Sequence, residues 1–324
     1  MNRIKVLISF DLPNIYVDKI RNVSQSLEVL QSEDEKEASR LIKDADILFA
    51  GYFSRELFLA ARRLKWVQAW GAGVDRLLIP EMVNSRVVVT NARGVHPTPI
   101  SEHVIGLMLC LSRKLHLFIR NQPQRKWERF GSSGSTEQIE ELSGKTVGIV
   151  GLGRTGSEIA KKAKCLEMRV IATKRDPTRC ASTCIDQLLP STDLNQLLAE
   201  SDFVVLSLPL TEETKGMIGE SELRNMKRTA YLINVSRGKI VQENKLIGAL
   251  RKGWIKGAGL DTFESEPLPK NSELWDFQNV IITPHIAGQT PYYMERLTNI
   301  FCENLNRFIH KKPLINVVDK ALGY

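Results

Sequence analysis

Three observations predict an α/β protein built on two doubly wound parallel sheets. Short apolar runs alternate with helix-like segments along nearly the whole chain, which argues for parallel strands joined by crossover helices. A glycine-rich turn, Gly151-Leu152-Gly153-Arg154-Thr155-Gly156, sits between one such run and one such helix. The 324 residues are long for a single core and comfortable for two domains.

In chain order, Val6-Leu7-Ile8 is the first predicted strand. The segment Met1 to Phe10 has basic residues on each side of Ile4, but neither a long apolar region nor a small-residue cleavage site, so a strand fits better than a signal peptide. A helix follows around Asn14 to Val23, then a strand at Leu27 to Leu30 and an acidic helix from Asp34 to about Lys43. Ile47 to Ala50 reads as a buried strand, Glu56 to Arg63 as helix, and Trp66 to Trp70 and Val87 to Thr90 as strands. From Thr98 to about Arg120 the pattern predicts one long helix, with Val104, Leu107, Met108, Leu111 and Leu115 at helical spacing and Pro97 and Pro99 suited to its start. The stretch Gln122 to Leu142 is polar, carries Pro123 and Gly131-Ser132-Ser133-Gly134-Ser135, and reads as an exposed arm. Later strands are predicted at Val147 to Val150, Met168 to Thr173, Phe203 to Leu208, Ala230 to Val235, Gly257 to Asp261 and Val280 to Thr283. Helices fill the gaps, for example Glu243 to Lys252, and the last runs from about Pro291 to His310.

Composition narrows the function classes. With 43% hydrophobic and 25% charged residues the chain resembles ordinary soluble globular proteins. No apolar run approaches bilayer-spanning length, so no membrane role is expected. The formal charge of +8 is spread in short runs such as Arg62-Arg63 and Lys161-Lys162. No nucleic-acid motif accompanies it, and anionic small molecules give the positive potential a simpler outlet. Five cysteines, Cys110, Cys165, Cys180, Cys184 and Cys302, are an odd number within apolar or helical segments. They fit reduced cytoplasmic thiols better than a disulfide framework, and no zinc-type spacing accompanies Cys180 and Cys184.

The glycine turn carries the strongest functional signal. Gly151 lets the chain leave the strand tightly, Gly153 lets a pyrophosphate approach the backbone, and Gly156 lets the following helix pack closely on the sheet. The helix start offers N–H groups to the phosphates. This is the fingerprint of a Rossmann dinucleotide-binding unit. An NAD site usually ends the second strand with Asp or Glu, about 20 residues past the fingerprint, to hold the ribose 2′-OH. Here Lys174 and Arg175 occupy that point. A carboxylate would repel a 2′-phosphate, whereas two cations attract it, Arg bidentately. Thr173 adds a hydroxyl and Arg179 is a more distant cation. The expected cofactor is therefore NADP(H), with NAD(H) possible. A solvated basic loop is the plainer alternative for the same residues.

Three residues follow strand ends in the second half: Arg237 in Asn234-Val235-Ser236-Arg237-Gly238, Glu266 in Asp261 to Pro269, and His285 in Thr283-Pro284-His285-Ile286-Ala287-Gly288. Ligands of open α/β sheets bind outside the carboxyl ends of the strands, so all three are expected at one crevice. Their chemistry fits reduction of a 2-keto acid. A histidine can protonate the alkoxide that hydride transfer leaves. A neighbouring carboxylate orients the ring and favours its charged form. A guanidinium can grip the substrate carboxylate or polarise the carbonyl.

With these motifs the chain resembles the D-isomer-specific 2-hydroxyacid dehydrogenases, over nearly its whole length and most densely from Gly148 to Gly288. The resemblance implies that Arg237, Glu266 and His285 are catalytic, with Glu266 and not Glu264 the acid. It assigns Gly151, Gly153, Arg154, Thr155, Gly156, Thr173, Lys174, Arg175, Leu208, Pro209, Thr214, Val235, Ser236, Asp261, Ala287 and Gly288 to the cofactor. It gives the substrate to Ala72, Gly73 and Val74 together with Arg237 and His285. The glycines of Gly71-Ala72-Gly73-Val74-Asp75 after a strand agree with a small anion nest. The resemblance further implies a flavodoxin-like substrate domain, 1–98 plus 290–324, and a Rossmann coenzyme domain, 99–289, with a cleft between them. It also implies a homodimer joined through the coenzyme domain. No metal is expected, since the cysteines have no partnering pair nearby. Two positions depart from the family pattern: Lys174 in place of the ribose-binding acid, and Glu167 in place of a glycine before the second strand.

The expected activity is hydride transfer between NADPH and a small 2-keto acid, such as glyoxylate, hydroxypyruvate or a branched keto acid. Alternatives are a phosphoglycerate dehydrogenase-like enzyme and a dinucleotide-sensing corepressor or scaffold. Glu102-His103 invites reading as an acid–base pair, but adjacent helical residues point apart, so both are taken as structural. His96 could approach substrate but reads better as a hinge-loop residue, and His116 and His310 read as ordinary helix residues. Tyr52, Trp70 and Tyr292 stay open as residues shaping the substrate pocket.

Overall fold

The computed structural model describes residues 3–127, 138–179 and 184–323. They divide into two units, Met1–Val95 with Thr290–Tyr324, and His96–Gln289. The Gly131 to Ser135 tract of the predicted arm and Cys180 lie outside the described residues.

In the first unit, strands β1 (Ile4–Ile8), β2 (Leu27–Gln31), β3 (Ile47–Ala50), β4 (Trp66–Ala69) and β5 (Val88–Thr90) form a parallel sheet in the order β2-β1-β3-β4-β5. This is the flavodoxin-like order. Successive side chains of a strand point to opposite faces, and both faces are covered. Val6, Ile8, Ile47, Phe49 and Trp66 pack with Val17, Ile20, Leu297, Phe301 and Leu305 from the helices Asn14–Arg21 and Tyr293–Ile309. Leu7, Leu48 and Val67 pack on the other side with Ala38 and Leu57 from the helices Glu35–Leu41 and Arg55–Ala60. The helix predicted from Glu56 to Arg63 stops early, because Ala61 is already extended at ψ 125.

The second unit holds β6 (Thr146–Val150), β7 (Arg169–Lys174), β8 (Gln187–Pro190), β9 (Phe203–Leu206), β10 (Tyr231–Asn234), β11 (Gly257–Leu260) and β12 (Val280–Ile282). All pair in parallel, in the order β12-β11-β10-β9-β6-β7-β8. The doubly wound order reverses between β6 and β9, which makes that gap the binding crevice of the fold. Helices Pro97–Ser112 and Arg154–Cys165 cover Val147, Ile149, Val170, Phe203, Val205 and Ile233. Helices Leu194–Glu200, Glu220–Asn225 and Glu243–Arg251 cover Val150, Ile171, Val204, Leu206 and Leu232.

Two elements differ from the sequence expectation. Strand β8 was not anticipated: four residues ending in proline give almost no periodic signal. It lies at the sheet edge, where a proline's missing donor is tolerated. The helix expected from Thr98 to Arg120 is two helices, Pro97–Ser112 and Leu115–Asn121. Lys114 breaks it in a left-handed conformation at φ 57, and this buried lysine's Nζ donates to Tyr231 Oη at 3.4 Å. The apolar spacing continues through the break, so periodicity alone hides it. Glu167 is also left-handed, at φ 58, in the turn where the family pattern has glycine. Its carboxylate accepts from Ser143 Oγ at 2.9 Å, so the departure is absorbed by the turn. Among the described residues Cys110, Cys165 and Cys302 are free thiols. No cluster of His, Cys, Asp or Glu there could hold a metal, and no helix there is long and apolar enough to cross a membrane.

Candidate active site

The crevice begins at the glycine turn after β6. Gly151 has φ 96, and a Cβ there would stand 2.7 Å from Ser207 O, so only glycine fits against the loop leaving β9. The Gly151 N–H donates to Thr173 Oγ1 at 3.3 Å and Leu152 N–H to Thr173 O at 2.8 Å. Gly156 lies so close under the turn that its Cβ would reach 2.6 Å from Gly151 O. Gly153 is the opposite case: among the described residues beyond its chain neighbours, nothing stands within 4 Å of where its Cβ would be. The helix Arg154–Cys165 starts directly after it, so its first N–H groups and open space coincide. These residues fit a dinucleotide pyrophosphate.

At the end of β7, Thr173 is buried and its hydroxyl holds the Gly151 turn. Lys174 is the last strand residue, and Arg175 Nη2 pairs with Glu213 Oε2 at 2.7 Å. Asp176, which the sequence reading passed over, accepts from Thr178 N–H at 3.2 Å and from its hydroxyl, and so shapes the next turn. Beyond β9, Leu208 N–H donates to Ser236 Oγ at 3.2 Å, and Thr214 Oγ1 donates to Pro209 O at 2.7 Å. The Ser236 hydroxyl donates to Leu206 O at 2.6 Å, which ties the loops after β9 and β10 together. Val235 lies buried at the end of β10.

The three candidate catalytic residues lie on the loops after β10, β11 and β12. Arg237 donates from Nη1 to Ser236 O at 2.9 Å, and its own carbonyl accepts from Asn234 Nδ2 at 3.0 Å. Gly238 meets the next loop so tightly that a Cβ would sit 1.8 Å from Phe263 C. Glu266 Oε1 accepts from Phe263 N–H at 3.1 Å, and its Oε2 stands 2.8 Å from His285 Nδ1. Glu264 turns elsewhere: its carboxylate accepts from Glu243 N–H at 3.1 Å. With Nδ1–H directed at a carboxylate, His285 presents Nε2 outward from a half-exposed ring.

His285 has φ 54, and its N–H donates to Asp261 O at 2.9 Å. Asp261 is buried, and its carboxylate accepts from Thr283 Oγ1, Ile286 N–H and Ala287 N–H at 2.6, 2.9 and 2.9 Å. Its observed bonds are therefore to the histidine loop, a structural task that the sequence-level assignment to cofactor did not include. Ala287 is buried in that loop, and Gly288 packs on His96, where a Cβ would lie 2.8 Å from His96 Cδ2.

His96, beside the hinge, stands within the electrostatic reach of both Arg237 and His285. Burial, then Arg237, then His285 push its pKa down to about 4. The unfolded chain, with an ordinary histidine, binds more protons than the folded one between pH 6.5 and 4. Stability is therefore expected to fall as pH drops through that window, by up to about 3 kcal/mol from this group. Denaturant titrations of wild type and His96→Asn at pH 7 and pH 4.5 check this. An unchanged pH slope in the variant contradicts it.

In the first unit, the predicted substrate loop follows β4. Gly71 O accepts from Ala92 N–H at 3.0 Å and Ala72 O from Asn91 Nδ2 at 2.8 Å. Gly73 is exposed and Val74 buried. Trp70 packs against Tyr293 with the rings tilted by 32°, and the Tyr293 hydroxyl donates to Trp70 O at 2.6 Å.

A Rossmann-ordered sheet, an open glycine turn at its switch point and a histidine–carboxylate pair on neighbouring loops define a nicotinamide-dinucleotide dehydrogenase. Residues 105–287 match the family described as "D-isomer specific 2-hydroxyacid dehydrogenase, NAD binding domain". The glyoxylate reductase of Pyrococcus furiosus is 37% identical over 317 residues, spanning 94% of this chain and 92% of that protein. A D-isomer specific 2-hydroxyacid dehydrogenase family protein from Aeromonas salmonicida superposes with a TM-score of 0.86 at 34% identity, over 99% of this chain and 100% of the other. The NADPH-dependent glyoxylate/hydroxypyruvate reductase of Sinorhizobium meliloti, solved with NADP and sulfate, gives 0.85 at 27% identity, with 99% and 100% coverage. The chain belongs to the D-isomer specific 2-hydroxyacid dehydrogenase family. It is an oxidoreductase that uses a nicotinamide dinucleotide and acts on a small 2-keto or 2-hydroxy acid.

Proposed function

We propose that this chain reduces a small 2-keto acid to the D-2-hydroxy acid, with NADPH preferred over NADH and glyoxylate or hydroxypyruvate among its substrates. The observation that carries the chemistry is the 2.8 Å contact between His285 Nδ1 and Glu266 Oε2. The bound nicotinamide supplies the hydride. His285 gives the proton from Nε2 to the alkoxide oxygen and regains it in the reverse direction. Glu266 holds the ring in the tautomer that makes this possible and steadies the charged form. Arg237 opposes the negative charge developing on the carbonyl oxygen. The backbone N–H groups of Ala72, Gly73 and Val74 are assigned to the substrate carboxylate, and a homodimeric, cytoplasmic enzyme completes the reading. A panel of 2-keto acids with either cofactor tests it. Loss of NADPH absorbance with none of them would favour a dinucleotide sensor on the same fold.

The cofactor preference rests on Lys174 and Arg175 at the end of β7, and the Sinorhizobium relative, described as NADPH-dependent, supports it. The preference is moderated by Glu213, which already engages Arg175 and opposes an incoming phosphate. Lys174→Asp with Arg175→Ala removes two charge-assisted partners and adds a repulsive one. NADPH binding is expected to weaken by about 10²-fold and NADH binding by less than about threefold. Calorimetric titration of both cofactors measures this, and equal losses would overturn the assignment.

A further inference from the structure

The helix Pro97–Ser112 reaches the segment carrying His285 at both ends. His96 precedes the helix and His103 lies seven residues on, two turns along the same face. His96 packs on Gly288, at the far end of the segment. At the near end, His103 Nε2 stands 3.0 Å from Thr283 Oγ1. An ionised Asp261 only accepts, so the single Thr283 hydrogen goes to Asp261 Oδ1, 2.6 Å away. Thr283 must then accept from His103, which places a proton on His103 Nε2. The same Asp261 carboxylate gathers the N–H groups of Ile286 and Ala287. His285 lies between these anchors in a left-handed conformation, which is uncommon for a residue with a side chain.

We propose that His103 is a positioning residue for His285: its Nε2–H anchors Thr283, and through Asp261 it sets the backbone of residues 283–287 and hence the direction of the His285 ring. Burial lowers the His103 pKa and Asp261 works against that shift, in keeping with a neutral donor that leaves the site's charge unaltered. The proposal rests on the assignment of His285 as proton donor, and the two can fail separately.

The test compares His103→Phe, which keeps the ring volume and removes the donor, with His103→Gln, which offers an amide N–H in its place. His285→Ala is the reference. The chain has five histidines, so ring signals from histidine-labelled protein are few enough to assign by single substitution. In the cofactor-free protein, His103→Phe is expected to move the His285 ring signals. It should lower kcat about tenfold, with KM for the keto acid changed less than about twofold. His103→Gln should return both readouts toward wild type. Unmoved His285 signals in His103→Phe would overturn the proposal. So would losses that His103→Gln fails to restore. If His285→Ala turns over normally, the proton-donor assignment fails, and the His285 signals still decide whether His103 orients the ring.

Discussion

Replacing His285 with alanine is expected to lower kcat by about 10²–10⁴-fold while leaving dinucleotide affinity within about twofold of wild type. The ring is half-exposed, and its side-chain hydrogen bond runs to Glu266, so its removal opens no cavity in a packed core. The loop keeps its shape, because that is set by Asp261 through the backbone N–H groups of His285, Ile286 and Ala287 rather than by the imidazole. What disappears is a proton within reach of the developing alkoxide. Glu266→Gln should be milder, since an amide oxygen can still accept from Nδ1–H but no longer balances an imidazolium. Steady-state turnover at saturating NADPH, with a fluorescence titration of the cofactor, separates the two effects. Near-normal turnover in His285→Ala would show that the proton comes from elsewhere.

The sheets were legible because buried parallel strands read as apolar runs and their helices as periodic ones. The glycine turn was legible because each glycine answers a local steric demand. Strand β8 and the break at Lys114 escaped because their causes lie elsewhere in the chain: a neighbouring strand's free edge, and the hydroxyl of Tyr231. Glu266 was singled out over Glu264 by resemblance to a motif, whereas the physical distinction between them lies in tertiary bonds. Glu264 engages the N-terminus of the helix Glu243–Arg251, and Glu266 meets His285. The same holds for His96, His103 and Asp261. Sequence placed His96 in a hinge loop and His103 on a helix, and named neither Gly288 nor Thr283 as the residue that each one meets. Such partners arise where loops leave adjacent strands, and order along the chain does not reveal which side chains meet there.

Gly238 and Gly153 are expected to give opposite results when each becomes alanine. At Gly238 the new methyl would overlap the backbone of the Phe263–Glu264 peptide, at 1.8 Å from Phe263 C and 2.4 Å from Glu264 N. No side-chain rotation relieves that overlap, so one loop must move. The shift separates Arg237 from the loop on which Phe263 N–H holds Glu266. Overpacking of this kind costs about 1–3 kcal/mol, occasionally more, and a 1 Å displacement of a catalytic group can cost about 10²-fold in rate. Gly238→Ala should therefore lose both melting temperature, by several degrees, and kcat. At Gly153 a methyl meets no atom within 4 Å among the described residues beyond its chain neighbours, so the melting temperature of the cofactor-free protein should change far less than in Gly238→Ala. The methyl would instead occupy the approach of a pyrophosphate to the helix start, and binding of NADPH and NADH should weaken together. Thermal unfolding and cofactor titration of the two variants make the comparison. A Gly153→Ala protein that binds both cofactors normally would remove the pyrophosphate from this turn, and a Gly238→Ala protein with normal melting and turnover would show that the two loops are not held at the observed separation.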